Sequence, residues 1–153
     1  MQMRYPKYLP AFLLLTLFAC NKNKFKTEPQ AEAKSISPGT VYSGDVINIK
    51  GSFTDDEGDV DSFLLVYKWY NGATAVKNDT QRYSFAALHL PQKTRQADFE
   101  VNFEYNTNNR PDLVQLPGVS LRDTTASFGV VLKDKAAHRG DYVEWGKIRL
   151  KKP

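Results

Sequence analysis

The sequence contains a single cysteine, Cys20, and only two histidines, His89 and His138. One cysteine cannot form a disulfide within the chain, and it cannot supply a thiolate metal cluster. Neither histidine has the cysteine partners or the HExxH spacing that predict a zinc site. The chain also lacks a Gly-x-Ser-x-Gly elbow, a P-loop and a GxGxxG motif, which are the local signals for nucleophilic hydrolysis, nucleotide chemistry and dinucleotide binding. We therefore expect a protein that is not an enzyme, and paired carboxylates acting as in a glycosidase are the remaining alternative.

The sequence also lacks a basic domain, although its net charge is +4. Arg4 and Lys7 account for two of these positive charges, and residues 20 to 34 carry four lysines against two glutamates, which accounts for the other two. Residues 35 to 153 are therefore close to neutral and cannot neutralise a run of phosphates. This distribution of charge argues against nucleic acid as a partner.

No apolar run is long enough to span a bilayer as a helix, which needs roughly 20 residues. The N-terminal apolar run, residues 8 to 19, has 12 residues and follows the positive charges of Arg4 and Lys7. A charged segment followed by a short apolar segment is the layout of a secretory signal peptide. We predict that residues 1–19 form such a peptide.

The signal segment ends in Leu17-Phe18-Ala19-Cys20, which resembles the lipobox of bacterial lipoproteins. In that motif cleavage exposes the cysteine, which then receives lipid, although Phe18 departs from the usual small or branched residue. The resemblance implies that Cys20 is acylated, for example with palmitate, and that the acyl chains anchor the protein to a membrane. Each buried methylene contributes about 0.8 kcal/mol to such an anchor. An ordinary signal peptide that happens to carry a cysteine is the alternative.

Residues 21 to 38 are polar, have no apolar periodicity and end at Pro38. This composition is typical of a flexible linker. We therefore divide the chain into a signal peptide (1–19), a lipidated cysteine with a flexible tether (20–38) and one domain (39–153). The remaining length suits a single core, because domains usually have about 100 to 150 residues.

From residue 40 onward, apolar side chains recur at every second position, which predicts strands rather than helices. Phe99, Val101 and Phe103, for example, alternate with polar residues. Strands are predicted at residues 41–42, 45–54, 62–70, 81–88, 98–105, 126–134 and 142–150, the last with a bulge near Gly146. About seven short strands in this length predict an all-β fold, an immunoglobulin-like antiparallel β-sandwich.

Three segments carry a family resemblance: SGDVINIKGSFTDDEGDVDS, LLVYKWYNG and FGVVLKDKAAHRGDYVEWGKIRL. They resemble the small immunoglobulin-like or cadherin-like lipoproteins of Bacteroidota, in which an acidic, Gly-containing loop precedes a central strand. In the late hairpin, residues 134 to 140, Ala137 and His138 stand where Gly and Asn are commoner. The resemblance implies the sandwich fold and a location in the cell envelope, and it adds nothing to a claim of catalysis. Together with the lipobox, it leads us to expect a lipid anchor at the outer membrane and a protein or glycan partner in the envelope. The segment after Cys20 lacks the acidic run that resembles surface-export signals in this phylum, which favours the periplasmic side.

The densest cluster of charge is Asp55-Asp56-Glu57-Gly58-Asp59-Val60-Asp61, with five carboxylates in seven residues. Ca²⁺ takes about six to eight oxygen ligands, and closely spaced acidic residues with a glycine at the turn suit such a site. The candidate calcium ligands are Asp55, Glu57, Asp59 and Asp61, joined by Asp134 from the late hairpin at the same pole. The alternative is that this loop and the basic residues of the hairpin neutralise one another, each exposed pair contributing about 0 to 1 kcal/mol. No other cofactor is expected.

The connection from residue 106 to 125 is the longest in the predicted domain. Pro111 and Pro117 exclude a helix through it, and residues 113 to 116 can add at most a short edge strand. An irregular connection of this length points to function. Its candidate partner contacts are Arg110, Leu113, Val114 and Leu116. The alternative is that its apolar residues fold back and cap the open end of the core.

Aromatic residues make up 12% of the sequence, and exposed rings on a sheet can stack on sugars. Most of them fall at inward-facing positions, so they are expected in the core. Tyr70 and Trp145 are the exceptions, because the alternation in their strands does not place them on the buried face.

Overall fold

The structure, a computed structural model, describes residues 27–117 and 122–152, and within them its regular elements are all β-strands. The strands are β1 (Gln30–Ser37), β2 (Thr40–Val41), β3 (Val46–Thr54), β4 (Val60–Asn71), β5 (Thr74–Ser84), β6 (Gln96–Tyr105), β7 (Val114–Leu116), β8 (Thr124–Asp134), β9 (Val143–Glu144) and β10 (Ile148–Leu150). They form two sheets packed together, which confirms the predicted all-β sandwich. The predicted signal peptide and Cys20 lie outside the described residues. No membrane-spanning helix is found within residues 27–117 and 122–152.

The first sheet has the strand order β1-β3-β6-β7, and the second has the order β2-β10-β8-β4-β5, with β9 also paired to β8. Among the described strands, β2 runs parallel to β10 and β7 runs parallel to β6, while the other pairings are antiparallel. The prediction of a purely antiparallel sandwich is therefore wrong at two edges. β2 has two residues and begins just after the chain crosses from the first sheet to the second. β7 has three residues and begins after residues 106–113 loop back beside the end of β6. The immunoglobulin-like strand order stays a prediction.

The core lies between the two sheets and is built from alternate side chains of strands such as β3 and β4. Aromatic rings join the sheets: the ring centroid of Phe63 on β4 lies 5.7 Å from that of Phe99 on β6, in an edge-to-face contact. Trp145, between β9 and β10, is buried and donates its indole N–H to the carbonyl oxygen of Lys50 on β3 at 2.8 Å. The expectation that the Trp145 ring is exposed is therefore wrong, because its strand breaks there and turns the ring inward.

Residues 30 to 37 are a strand, so the predicted flexible tether is wrong from Gln30 onward. β1 pairs antiparallel with β3 from Gln30 opposite Thr54 to Ser37 opposite Asn48, with one register shift near residue 34. Ala31, Ala33 and Ile36 pack against the core and the polar residues between them face solvent. The apolar signal was weak because two of these three side chains are alanines and all three are only partly buried. The sandwich therefore begins at Gln30 rather than at residue 39.

The predicted strand at residues 81 to 88 is longer and lies earlier in the chain. β5 starts at Thr74, directly after a Gly72-Ala73 turn in which Gly72 has a φ of +59°. Its first seven residues are exposed on both faces, which removes the alternation that marks a half-buried strand. Glycine at the first position of a two-residue loop is a hairpin signal, and Gly72 was the available clue. The last predicted strand, residues 142–150, is divided into β9 and β10, and its pairing with β8 is interrupted around Gly146, where an irregularity was predicted.

The register of the strands sorts the connections into two ends of the sandwich. The end that we call the acidic pole comprises residues 27–29, 55–59 and 134–142, and the end that we call the far pole comprises residues 71–73, 106–113 and 122–124. Val60 pairs with Asp134 at the acidic pole, and Tyr70 pairs with Thr125 at the far pole. β1 starts opposite the end of β3, so the chain enters the sandwich at the acidic pole.

A side chain at Gly140 would overlap the carbonyl oxygen of Pro29, because the start of the sandwich is packed against the late hairpin. We expect Gly140→Ala to push this segment away and to lower the free energy of unfolding by about 1–3 kcal/mol, the usual cost of overpacking. Amide hydrogen exchange of residues 30–37 should then accelerate. Gly146→Ala is the matched control, because no atom lies within 4 Å of a Cβ there. Equal exchange rates in the two variants would contradict a docked β1.

Candidate functional site

Asp55 organises the acidic loop from inside. Its side chain is 2% exposed, and one carboxylate oxygen, Oδ2, accepts a hydrogen bond from the backbone N–H of Asp59 at 2.7 Å. Its backbone N–H donates to the carbonyl oxygen of Arg95 at 2.7 Å, and its carbonyl oxygen accepts from the N–H of Gly58 at 3.2 Å. Gly58 takes a φ of +71°, a conformation that glycine adopts without steric cost. Asp55 therefore holds the loop closed, and its Oδ1 is buried with no hydrogen-bond partner among the described residues.

Three carboxylates meet at the acidic pole. One oxygen from each of Glu57, Asp59 and Asp134 lies within 4.8 Å of the other two. Two contacts bring the loop and the late hairpin together: the pairing of Val60 with Asp134, and a hydrogen bond from the N–H of Lys135 to the carbonyl oxygen of Asp59 at 3.3 Å. Asp134 is 1% exposed, and Oδ1 of Asp59 is buried and has no hydrogen-bond partner in the described part of the chain. The structure thus joins three of the five predicted calcium ligands in one carboxylate cluster.

Asp61 lies apart from this carboxylate cluster, so its prediction as a fellow ligand is wrong. Its Oδ2 accepts a hydrogen bond from Ser62 Oγ at 2.6 Å and pairs with Nη2 of Arg82 at 3.0 Å. The Ser62 hydrogen bond, together with the guanidinium of Arg82, lowers the pKa of Asp61 below its usual value. Asp61 is the first residue after Val60, and alternation along β4 turns its side chain to the other face of the sheet.

His138 is the member of this site that sequence reasoning missed. The carboxylate of Asp134 accepts the backbone N–H of His138 at 2.8 Å, and its other oxygen lies 2.7 Å from His138 Nδ1. The hydrogen bond to Asp134 raises the pKa of His138, and the negative charges of Asp134, Glu57 and Glu28 raise it further. The available signal was the four-residue spacing of an acid and a histidine across a hairpin. A protonated His138 is one way to compensate the carboxylate cluster, and a bound cation is the other.

Glu104 on β6 is fully buried, yet it is held ionised at the far pole. Its carboxylate accepts hydrogen bonds from the Thr107 hydroxyl at 2.6 Å, from the backbone N–H groups of Asn109 and Arg110 at 3.2 and 3.0 Å, and from the Gln115 amide at 2.7 Å. Burial raises the pKa of Glu104, but these donors outweigh it and lower the pKa to about 2. The connection after β6 is therefore folded around a buried charge.

The four predicted partner contacts of this connection divide by burial. Leu116 is 1% exposed and pairs with Tyr105 as the last residue of β7, so it belongs to the core and its assignment as a partner contact is wrong. Leu113 and Val114 are half-buried, and Val114 packs against the core. Arg110 is exposed. The apolar part of the connection thus caps the core, which was the alternative interpretation of its sequence.

No protein-family model and no curated protein matches the chain. Among solved structures, the alkylpurine DNA glycosylase AlkC of Pseudomonas fluorescens, bound to DNA with an abasic-site analogue, is 9% identical, with a TM-score of 0.43 over 82% of this chain and 31% of that chain. The sporulation control protein Spo0M of Bacillus subtilis is 7% identical, with a TM-score of 0.42 over 82% and 50% of the two chains. A Niemann-Pick type C2 protein from the Japanese carpenter ant is 11% identical, with a TM-score of 0.40 over 80% and 92%. The chain spans about a third and a half of the first two proteins, and none of these likenesses assigns a function.

The buried Glu104 makes stability depend on pH in acid. Its folded pKa lies below its ordinary value of 4.5, so its stabilising contribution is present above about pH 4.5 and is lost as the pH falls toward 2. We expect Glu104→Gln to lower the melting temperature at pH 7 by at least ~5 °C and to flatten the acid dependence between pH 4.5 and 2. Thermal melts from pH 7 to pH 2 measure both effects. Glu32→Gln, at an exposed position on β1, should melt like the parent protein; an equal loss in both variants would contradict the role of Glu104.

Proposed function

We propose that this chain is a lipoprotein of the bacterial cell envelope, anchored through Cys20 to the outer membrane on the periplasmic side, whose sandwich acts as a non-catalytic binding or structural module. The observation that carries the proposal is the lipobox-like segment Leu17-Phe18-Ala19-Cys20 after a short apolar run. The position of β1 then sets the length of the tether. Because the sandwich begins at Gln30, only residues 21 to 29 separate it from the lipobox cysteine. An extended segment of that length reaches at most about 30 Å.

This geometry supports a fixed orientation of the domain relative to the membrane. Pro29 is packed against Gly140, so the short tether joins the sandwich at the acidic pole. Under the proposed anchoring, the acidic pole faces the membrane and the far pole, with the connection around Glu104, faces away. A partner that approaches from the periplasm would meet the far pole first.

The anchor is tested at Cys20. We expect Cys20→Ala to abolish incorporation of a palmitate analogue in growing cells and to move the protein from the membrane fraction to the soluble fraction, because the acyl chains supply the membrane affinity. Phe18→Leu is the matched control, since it restores a usual lipobox residue and should be labelled at least as well as the parent. Unchanged labelling and processing of the Cys20→Ala variant would rule the anchor out.

A second candidate function is calcium-dependent adhesion or glycan binding, with the cation held at the carboxylate cluster. Its specific support is the meeting of Glu57, Asp59 and Asp134, together with the buried Oδ1 of Asp59, which accepts no hydrogen bond within the described residues. Ca²⁺ binds carboxylate oxygens, and a divalent cation would relieve the repulsion between three close negative charges. A proton on His138 competes with it, because both compensate Asp134.

Calcium binding should therefore depend on pH. His138 has a raised folded pKa, so its own stabilisation is present below about pH 6.5 and is lost as the pH rises through that folded value. We expect calcium to raise the melting temperature relative to chelator more at pH 8 than at pH 6, and a hundredfold excess over Kd corresponds to about 2.7 kcal/mol. Asp59→Asn should lose the effect, whereas Asp98→Asn, at an exposed carboxylate on β6, should keep it. Superimposed melts with calcium and with chelator at both pH values would exclude the site.

A further inference from the structure

Two adjoining cavities form a groove at the far pole. Their volumes are about 250 and 220 Å³, and together they reach the lower part of the ~300–1,000 Å³ range of small-ligand sites. Both are lined by Tyr70, Asn71, Asp123 and Thr124. Arg149 lines one cavity, and Val76 is the one aliphatic residue that lines the other. We call this feature the far-pole groove.

Tyr70 supplies a fixed aromatic surface in the far-pole groove. It is half-buried at the end of β4, and its hydroxyl lies 3.1 Å from Oγ of Ser127 on the neighbouring strand β8. The Nζ of Lys147 lies 4.0 Å from the centroid of the ring, so a cation covers part of the ring. A ring held in this way adds contact area to a ligand at little cost in side-chain entropy. Aromatic side chains set among hydrogen-bonding groups suit ligands that have both an apolar face and hydroxyl groups.

The far-pole groove also carries an excess of positive charge. The carboxylate of Asp123 accepts a hydrogen bond from Nζ of Lys151 at 2.5 Å and from the backbone N–H of Lys152 at 3.1 Å. The Lys151 hydrogen bond comes first among the causes that lower the pKa of Asp123, so this carboxylate is ionised and already matched by a cation. The lining of the groove carries two exposed cationic residues, Arg149 and Arg122, against this one carboxylate.

We infer that the far-pole groove binds a saccharide bearing an anionic group, a carboxylate or a phosphate. Tyr70 packs against the sugar ring, and Asn71 offers its amide group to the hydroxyls of the sugar. Arg149 pairs with the anion in a charge-assisted hydrogen bond. The polar lining argues against a lipid tail, for which Val76 is the only aliphatic contact. This inference rests on the proposed function, since it names the ligand of the anchored module and places it at the pole that faces away from the membrane.

The test uses the full chain purified in detergent and titration calorimetry. The probes are trigalacturonic acid, the phosphorylated disaccharide glucosamine-β-1,6-glucosamine bisphosphate, neutral galactotriose and inorganic phosphate. We expect at least one anionic saccharide to bind, with galactotriose and inorganic phosphate about tenfold weaker or more. Trigalacturonic acid and the bisphosphate separate a carboxylate ligand from a phosphate ligand. Failure of both anionic saccharides to bind, or inorganic phosphate binding as tightly as either, would overturn the inference.

Two variants with matched controls assign the binding to this groove. Arg149→Gln should weaken the anionic saccharide about tenfold, and Arg139→Gln, which removes the same charge from the acidic pole, should leave binding unchanged. Tyr70→Ala should abolish binding and Tyr70→Phe should retain it, because the ring and not the hydroxyl meets the sugar. Arg149→Gln is at an exposed position on β10, so it tests the groove even where Tyr70→Ala does not fold. Equal affinities of the Arg149 and Arg139 variants would overturn the assignment.

Cys20→Ala separates the failure of this inference from the failure of the proposed function. A Cys20→Ala protein that still binds the saccharide, beside a parent protein that is never acylated, would overturn the anchor and leave the groove intact. An acylated parent protein that binds neither anionic saccharide would overturn the groove and leave the anchor intact.

Discussion

The antiparallel pairing of β4 with β8 fixes both ends of the molecule at once. These two strands lie in the middle of the second sheet, and their register runs from Val60 opposite Asp134 to Tyr70 opposite Thr125. A slip of one residue would turn every side chain of one strand to the other face, so the buried aromatic residues hold this register in place. The same register carries Asp134 to the acidic loop and Tyr70 to the start of β8. The carboxylate cluster and the far-pole groove therefore depend on core packing as well as on their own loops.

Two buried carboxylates show how differently a charge can be accommodated in this sandwich. Glu104 is satisfied by neutral donors from one short stretch of chain, so it needs no counter-ion and its cost of burial is offset by hydrogen bonds. Asp134 is satisfied by His138, but two further carboxylates stand within 4.8 Å of it. The first arrangement is complete without a ligand and shapes a connection. The charge balance around Asp134 changes with the protonation of His138. A bound cation can therefore stabilise the site of Asp134, whereas Glu104 has no need of one.

The sequence predicted strand positions well where one face of a strand is buried and the other is exposed to solvent. The alternation in β3 and β6 predicted their bounds to within two residues, and the weak pairing near Gly146 followed from a change of parity. The same reasoning missed Gln30–Ser37 and the first half of β5, because a polar edge strand has little apolar side chain to bury and is held by backbone hydrogen bonds that leave no mark on composition.

The candidate sites were harder to predict for a related reason. Alternation placed Glu104 with the solvent-facing residues Glu100 and Asn102, and this position is correct for the strand. The error lies in the connection, which folds back over that face and buries the carboxylate. Likewise, spacing along the chain grouped Asp61 with Asp59, but Asp61 lies at a register shift in β4 and contacts Ser62 and Arg82 instead. Contacts between loops depend on tertiary structure, whereas the sequence pattern shows only which side chains share a face of one strand.

A near-neutral domain can still have two electrostatically distinct ends. Residues 35 to 153 carry almost no net charge, which argued against a long polyanion as a partner. Charges screen one another beyond a Debye length of about 8–10 Å, however, and the 12 residues of β4 separate the poles by roughly 40 Å. Each pole therefore interacts with its surroundings as though the other were absent. The carboxylate cluster attracts cations at one end, and Lys147 and Arg149 attract anions at the other. Summed over the domain, these opposite charges cancel. The net charge therefore argues against a long polyanion along the whole domain, but it does not show whether a small ligand at one pole is an anion or a cation.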